Sequence, residues 1–412
     1  MPAKTRTFTF KRLIPAPPAD VYRAFTNATL LRDWLCNAAQ ADPRPGGRLY
    51  VYWARSGDYA CGEYTALVPD RHVAFTWRTR GAPAETRVLI TLAERDGGTL
   101  VTVRHAGLGS GARWAGEIED LTRGWPAGLE DLQFLLETGL DHRIARRPML
   151  GLAGGDDVTP ALAAARGLHP TAGLWIAGTV PGFGAHAIGL AKDDVIVRFA
   201  GKPVPNWAAL QRILSSYRAG DKVKLVYWRG AARRTATLEL SARPQAQYPA
   251  TAGDLVEATR RGNAGLNAGL AEILAGVSEA EAEHHPAPGE WTVKELVAHF
   301  IACERDVESY FAALMRSGNL SGEVDDSLEF RPNVDARLEA IVGRYPTLPA
   351  LLEELKRCQA ETLAFIAAFP DDFIARKPFY YRAAFWATVV IPGHLDEHRD
   401  QFAATIAAAR SA

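Results

Sequence analysis

A chain of 412 residues exceeds what one hydrophobic core usually supports, so several domains are expected. Its 48% apolar and 23% charged residues exclude a disordered or fibrous chain. The net charge is formally zero but unevenly spread: residues 143–247 carry +9 and residues 248–412 carry −10. The basic residues of the middle are scattered and lack the aromatic interleaving of a stacking platform, so no nucleic-acid partner is expected, and attraction between neighbouring domains explains the asymmetry. No apolar run approaches the ~20 residues that span a bilayer, so no membrane partner is expected either. Cys36, Cys61, Cys303 and Cys358 lie far apart with no C-x-x-C pair, which suits a reducing compartment. The opening MPAKTRTFTF alternates like a strand and has no apolar signal region, so a cytoplasmic location is expected.

In residues 1–142 a first strand (5–13) leads into Pro17 and Pro18, which suit a first helical turn because they lack N–H groups that would be orphaned there. Val21, Ala24 and Phe25 share one face of that helix. Strand signals follow at 48–53, 62–68, 72–78, 86–93 and 100–105, and Asp96-Gly97-Gly98 marks a hairpin turn. A helix over 116–138 places Trp125, Leu129, Leu132 and Leu136 on one stripe. This order, with APPADVYRAFT at 16–26, Trp34 and Gly124-Trp125, resembles the START-like (SRPBCC) superfamily, in the branch named after the activator of the large heat-shock ATPase. The resemblance implies an α+β helix-grip fold whose cavity takes a small apolar ligand. Trp53, Tyr64, Phe75 and Trp77 are the candidate lining, against the plainer expectation that alternating strand aromatics form core. No pair of titratable groups on the inward positions points to acid/base catalysis.

Residues 143–247 begin with a basic linker at 143–148, and Met149–Leu152 is expected to open a strand. The phrases AGLWI (172–176), AIGLAKDDVI (187–196), GKPV (201–204), a helix at 206–216 and AGDKV (219–223) resemble, in that order, the β-rich PDZ domain of HtrA-type bacterial proteins. That resemblance implies strand addition, in which the C-terminal tail of a partner protein pairs with a sheet edge while a loop holds its carboxylate. By it, Gly173, Leu174, Trp175 and Ile176 occupy the carboxylate-loop position, and Leu210 and Leu214 wall the side-chain pocket. Trp175 departs from the smaller residue expected there. The alternative is a PDZ fold used as a spacer. The serine-containing phrases lack nucleophile-elbow context, so proteolysis is set aside.

Residues 248–412 read as all-α, with long amphipathic helices at 252–275, 293–316, 348–368 and 382–409. Thr292 and Glu295 form a capping box, and Pro392 kinks the last helix or sets its true start. Such a four-helix bundle builds metal sites in its interior. His394 and His398 are spaced i, i+4, so both imidazoles leave one helix face and can grip one ion. His299 lies among apolar residues; alone it would read as a satisfied core histidine. GEWTVKELVAH at 289–299 and HLDEHRDQ at 394–401 resemble the DinB/YfiT-like family, and the resemblance assigns His299, His394 and His398 as ligands of a divalent metal, zinc or nickel. Three protein ligands leave an open coordination position. Cys303, four residues after His299, shares its face, and as a fourth ligand it would close the site. His284 and His285 read as loop surface.

Two functions follow. The first is a non-catalytic sensor or adaptor binding a ligand, a peptide and a metal. The second is a metal-dependent thiol S-transferase acting on small electrophiles, as the DinB resemblance implies, with the metal lowering the thiol pKa. Only Glu304 and Asp396 are candidate proton acceptors, and helical spacing turns Asp396 away from the His394/His398 face.

Overall fold

A computed structural model describes residues 5–316 and 334–411. The chain forms two compact units, one of residues 1–140 with 247–412 and one of residues 141–246.

The first part of the larger unit is a seven-stranded antiparallel sheet. Its strands are β1 (Arg6–Ile14), β2 (Ala38–Ala41), β3 (Arg48–Trp53), β4 (Asp58–Val68), β5 (His72–Thr79), β6 (Thr86–Arg95) and β7 (Gly98–Leu108), in spatial order β1-β7-β6-β5-β4-β3-β2. Helices α1 (Pro18–Thr26) and α2 (Ala28–Trp34) follow β1, and the 27-residue α3 (Ala112–Thr138) follows β7. Pro17 and Pro18 stand at the start of α1. β6 and β7 pair from Arg95–Gly98 outward, so Asp96 and Gly97, both at positive φ, form the two-residue loop. Sequence patterning missed α2 and β2, which are too short for periodicity to register.

A polar chain crosses this core. Trp125 Nε1–H donates to His105 Nδ1 at 3.1 Å, His105 Nε2 meets Thr86 Oγ1 at 2.8 Å, and that hydroxyl donates to the Trp77 carbonyl at 2.8 Å. With Nδ1 accepting and Thr86 O–H already committed, His105 is the neutral Nε2–H tautomer. Burial drops its pKa to about 4.

The smaller unit is a sheet in the order β13-β12-β10-β9-β8, with β11 beside β10. In chain order its elements are α4 (His142–Ala145), β8 (Gly155–Asp157), α5 (Pro160–Arg166), β9 (Leu174–Ile176), α6 (Gly184–Ala187), β10 (Val195–Phe199), β11 (Lys202–Pro203), α7 (Trp207–Leu214), β12 (Lys222–Arg229) and β13 (Ala232–Glu239). Met149 and Leu152 form only isolated bridges, to Ser241 and Thr179, instead of the expected strand. Buried Asp194 anchors the turn before β10 through two hydrogen bonds from Arg229, at 2.8 and 2.7 Å.

The helical part comprises α8 (Ala252–Ile273), α9 (Glu279–Glu283), α10 (Val293–Arg316), α11 (Val334–Arg344), α12 (Leu348–Ala367), α13 (Asp371–Ala375), α14 (Lys377–Phe385) and α15 (Ile391–Ser411), with a π-helical turn at Trp386–Val390 joining the last two. The four long helices pack in a ring, α10 on α12, α12 on α8, α8 on α15 and α15 on α10. α8 approaches α15 closely because it carries glycine at the crossing: a Cβ on Gly262 would sit 2.5 Å from Pro392 Cγ. The expected single helix over 382–409 is α14, the π turn and α15. Pro392 has no N–H for the carbonyl four residues back and its ring would crowd it, and the wider π turn takes up both demands. Among the described residues no helix is long and apolar enough to cross a membrane.

Within the larger unit α14 packs on α3. Lys377 Nζ donates to the Glu137 carbonyl, Arg382 pairs with Asp33, and Tyr381 covers Gly139, where a Cβ would lie 2.6 Å from its ring.

Candidate metal centre

The start of α10 is fixed by reciprocal bonds: Glu295 N–H donates to Thr292 Oγ1 at 3.1 Å, and Thr292 N–H donates to Glu295 Oε2 at 2.7 Å. Lys294, 2% exposed, is held by Glu279 at 2.7 Å and Glu283 at 2.6 Å, which ties α9 to α10. Arg337 of α11 donates to Asp306 at 2.7 and 2.9 Å and so braces α10 two turns beyond His299. These contacts set the helix that carries His299.

His299, His394 and His398 come together in the interior, each less than a tenth exposed. Their ring centroids are 5.0, 5.0 and 4.7 Å apart, and His299 Nε2 lies 3.0 Å from His394 Nε2. Tetrahedral nitrogen ligands about 2.1 Å from one ion would be ~3.4 Å apart, so the His299 and His394 nitrogens, 3.0 Å apart, need shift by only a few tenths of an ångström. His398 carries the sharper signal. Gln401 Oε1 lies 2.9 Å from its Nδ1, so the carbonyl oxygen accepts Nδ1–H and the lone pair falls on Nε2, which is buried and has no hydrogen-bond partner. A buried, unprotonated nitrogen costs stability unless something accepts its lone pair, and a carbonyl-oriented imidazole is how proteins present a metal ligand. The donor set therefore fits a divalent cation. Burial, then the neighbouring imidazoles, hold His299 at about 3 and His394 at about 4, so both are neutral and able to ligate at physiological pH.

Cys303 belongs to the same cluster. Its Sγ is 3.7 Å from His299 Nε2, and one ligand atom from each of His299, Cys303 and His394 lies within 4.8 Å of the others. A small cavity beside the cluster is lined by His394, Cys303, Glu304, Phe300, Leu266 and Ile391 among others, and its ~10 Å³ is room for one water. Burial lifts the Glu304 carboxyl to about 7, against a hydrogen bond from Thr362 Oγ1 at 2.8 Å. Asp396 is exposed and paired with Arg399.

The aromatic residues of the N-terminal part are packed against one another. Tyr64–Phe75, Phe75–Trp77, Trp53–Trp77 and Trp77–Trp125 have centroids 5.8 to 6.3 Å apart. Tyr64 O–H donates to the Phe25 carbonyl and Trp53 Nε1–H to the Leu35 carbonyl. The rings occupy the space between the sheet and α3.

In the smaller unit the expected carboxylate-loop residues, Gly173 to Ile176, lie at and just before β9. β9, Leu174–Ile176, is flanked by β8 on one side and β10 on the other, so it has no free edge for an added strand. Gly173 (φ +142) enters β9 tightly beneath Ile196, where a Cβ would stand 2.8 Å from the Ile196 carbonyl oxygen. Leu210 and Leu214 are buried with Leu174 and Ile176 in one core. Trp175 faces the other way, bonded to Asp193 at 2.9 Å and covered by the Arg166 guanidinium at 4.0 Å. The edge strands are β8 and β13.

The family described as activator of Hsp90 ATPase homolog 1-like protein matches residues 15–137, and the DinB superfamily matches residues 267–402. The chain thus carries an N-terminal α+β domain of the first kind, a β-containing middle region and a C-terminal helical DinB domain. The activators of 90 kDa heat shock protein ATPase of mouse and human are each 28% identical over 123 residues, which is 29% of this chain and 34% of theirs. The chain spans about a third of the length of these curated relatives. Among solved structures, a protein from Mesorhizobium loti is 26% identical, covering 32% of this chain and 97% of its own at a TM-score of 0.29. A heat-shock-protein-90 activator from Plasmodium falciparum is 20% identical, covering 32% and 96%, at the same score.

Proposed function

We propose that this chain, which joins an Hsp90-activator-like domain to a DinB domain, is a non-catalytic recognition protein whose helical part binds one divalent metal through His299, His394 and His398. The observation that carries this is His398: its Nδ1–H is spent on Gln401, its Nε2 is buried without a partner, and its ring lies 5.0 and 4.7 Å from those of His299 and His394. The metal would supply a fixed positive centre held by these three imidazoles. An ion bound there adds folding free energy, because the unfolded chain has no such site. Elemental analysis of purified protein is expected to give one equivalent of zinc or nickel, absent from His299→Ala; a metal-free wild type overturns the reading.

With β9 enclosed, a peptide strand could add at an edge of the sheet such as β8, Gly155–Asp157, or β13. A small apolar ligand in the sheet–helix layer would pack against the mutually touching rings of Trp53, Phe75 and Trp77. Four cysteines outside any disulfide support a reducing, cytoplasmic setting.

A second reading, a metal-dependent thiol S-transferase, is favoured by Glu304, a buried carboxyl lining the same cavity as His394. Incubation with a thiol and chlorodinitrobenzene tests it. Chelator-sensitive turnover that His394→Ala abolishes would put this reading first.

A further inference from the structure

We propose that Cys303 is the fourth ligand of this centre, so that two i, i+4 pairs, His299/Cys303 on α10 and His394/His398 on α15, face each other and enclose a zinc ion. The inference rests on the metal reading above and goes beyond the three histidines it names. Residues four apart on a helix leave the same face, so each helix presents two donors to the other. In a tetrahedral zinc site a nitrogen at about 2.1 Å and a sulfur at about 2.3 Å stand ~3.6 Å apart. Cys303 Sγ is 3.7 Å from His299 Nε2, already at that separation. The competing donor, Glu304, is turned toward α12: its Oε2 accepts the Thr362 hydroxyl at 2.8 Å.

Loading such a site releases the Cys303 thiol proton to solvent and transfers no electrons. A set of three nitrogens and one thiolate in tetrahedral array selects zinc over nickel(II), which prefers tetragonal surroundings. It also removes the open position that a transferase needs.

The test uses the full chain, stripped by chelator and titrated with Co²⁺. One equivalent is expected to give the visible bands of a tetrahedral centre together with a near-ultraviolet thiolate-to-cobalt band. Cys303→Ser, with wild-type circular dichroism, should keep the visible bands and lose the near-ultraviolet one even though Cys36, Cys61 and Cys358 remain. Its affinity should fall by more than the roughly 10- to 100-fold that loss of an outer-shell partner costs. A wild-type spectrum that lacks the near-ultraviolet band, or keeps it in Cys303→Ser, overturns the proposal. In that case visible bands lost in His394→Ala leave the three-histidine reading standing. Failure of the wild type to take up Co²⁺ overturns both.

Discussion

Gln401 touches no candidate ligand atom directly, yet it decides which nitrogen of His398 can bind. Replacing it with alanine should weaken metal binding about 10- to 100-fold while leaving the cobalt spectrum tetrahedral, read by competition with a chelating dye. His105 makes a prediction of opposite chemistry, since it must stay neutral and bonded. Its folded pKa of about 4 lies below the ordinary 6.5, so the unfolded chain binds the extra proton first as pH falls. Its contribution is complete above pH 6.5 and lost progressively down to pH 4, to the extent of roughly 3 kcal/mol. Urea unfolding of the metal-free protein at pH 7 and pH 5 should show about 2 kcal/mol of that loss from His105, and His105→Gln should show a correspondingly smaller one. His394 and His398 stand out in the sequence because HLDEHRDQ has helical spacing, and His299 gains its meaning from that pair. His105 does not stand out, because its partners Thr86 and Trp125 are brought to it only by the sheet and α3.

Helix α8 sets how near the helix bearing His394 and His398 can come. Gly262→Ala adds a methyl 2.5 Å from Pro392, which has no rotamer to retreat into, and is expected to destabilise by about 1–3 kcal/mol although alanine is the better helix former. Gly265, one turn on, has open space at its Cβ. Gly265→Ala should therefore stabilise by roughly 0.5–1 kcal/mol, with thermal unfolding of both variants as the measurement. The contrast isolates packing from propensity. The long helices α8, α10 and α12 and the strands of the first sheet other than β2 are legible from their periodicity and capping residues. The π turn is not, since it answers a clash between Pro392 and its own preceding turn. The enclosure of β9 is likewise invisible in sequence: β8 is three exposed residues, Gly155–Asp157, with no alternating pattern to mark them.

At the scale of the whole chain, residues 1–140 and 247–412 share one compact unit, which the linear order of sequence motifs hides. What joins them is α14, whose lysine, arginine and tyrosine reach α3, Asp33 and Gly139. Tyr381 also has the ring of Tyr248 at 4.8 Å, so the last residues before the middle segment and the first after it meet at a single side chain. Topologically the middle is a guest spliced into a host whose two cut ends lie against one shared side chain. Excising residues 141–246 and sealing the gap with a few glycines and serines should give a protein that still melts cooperatively and still takes up one cobalt, because closing so short a loop costs little entropy. A host that aggregates or fails to load would mean that the guest is a structural part of it.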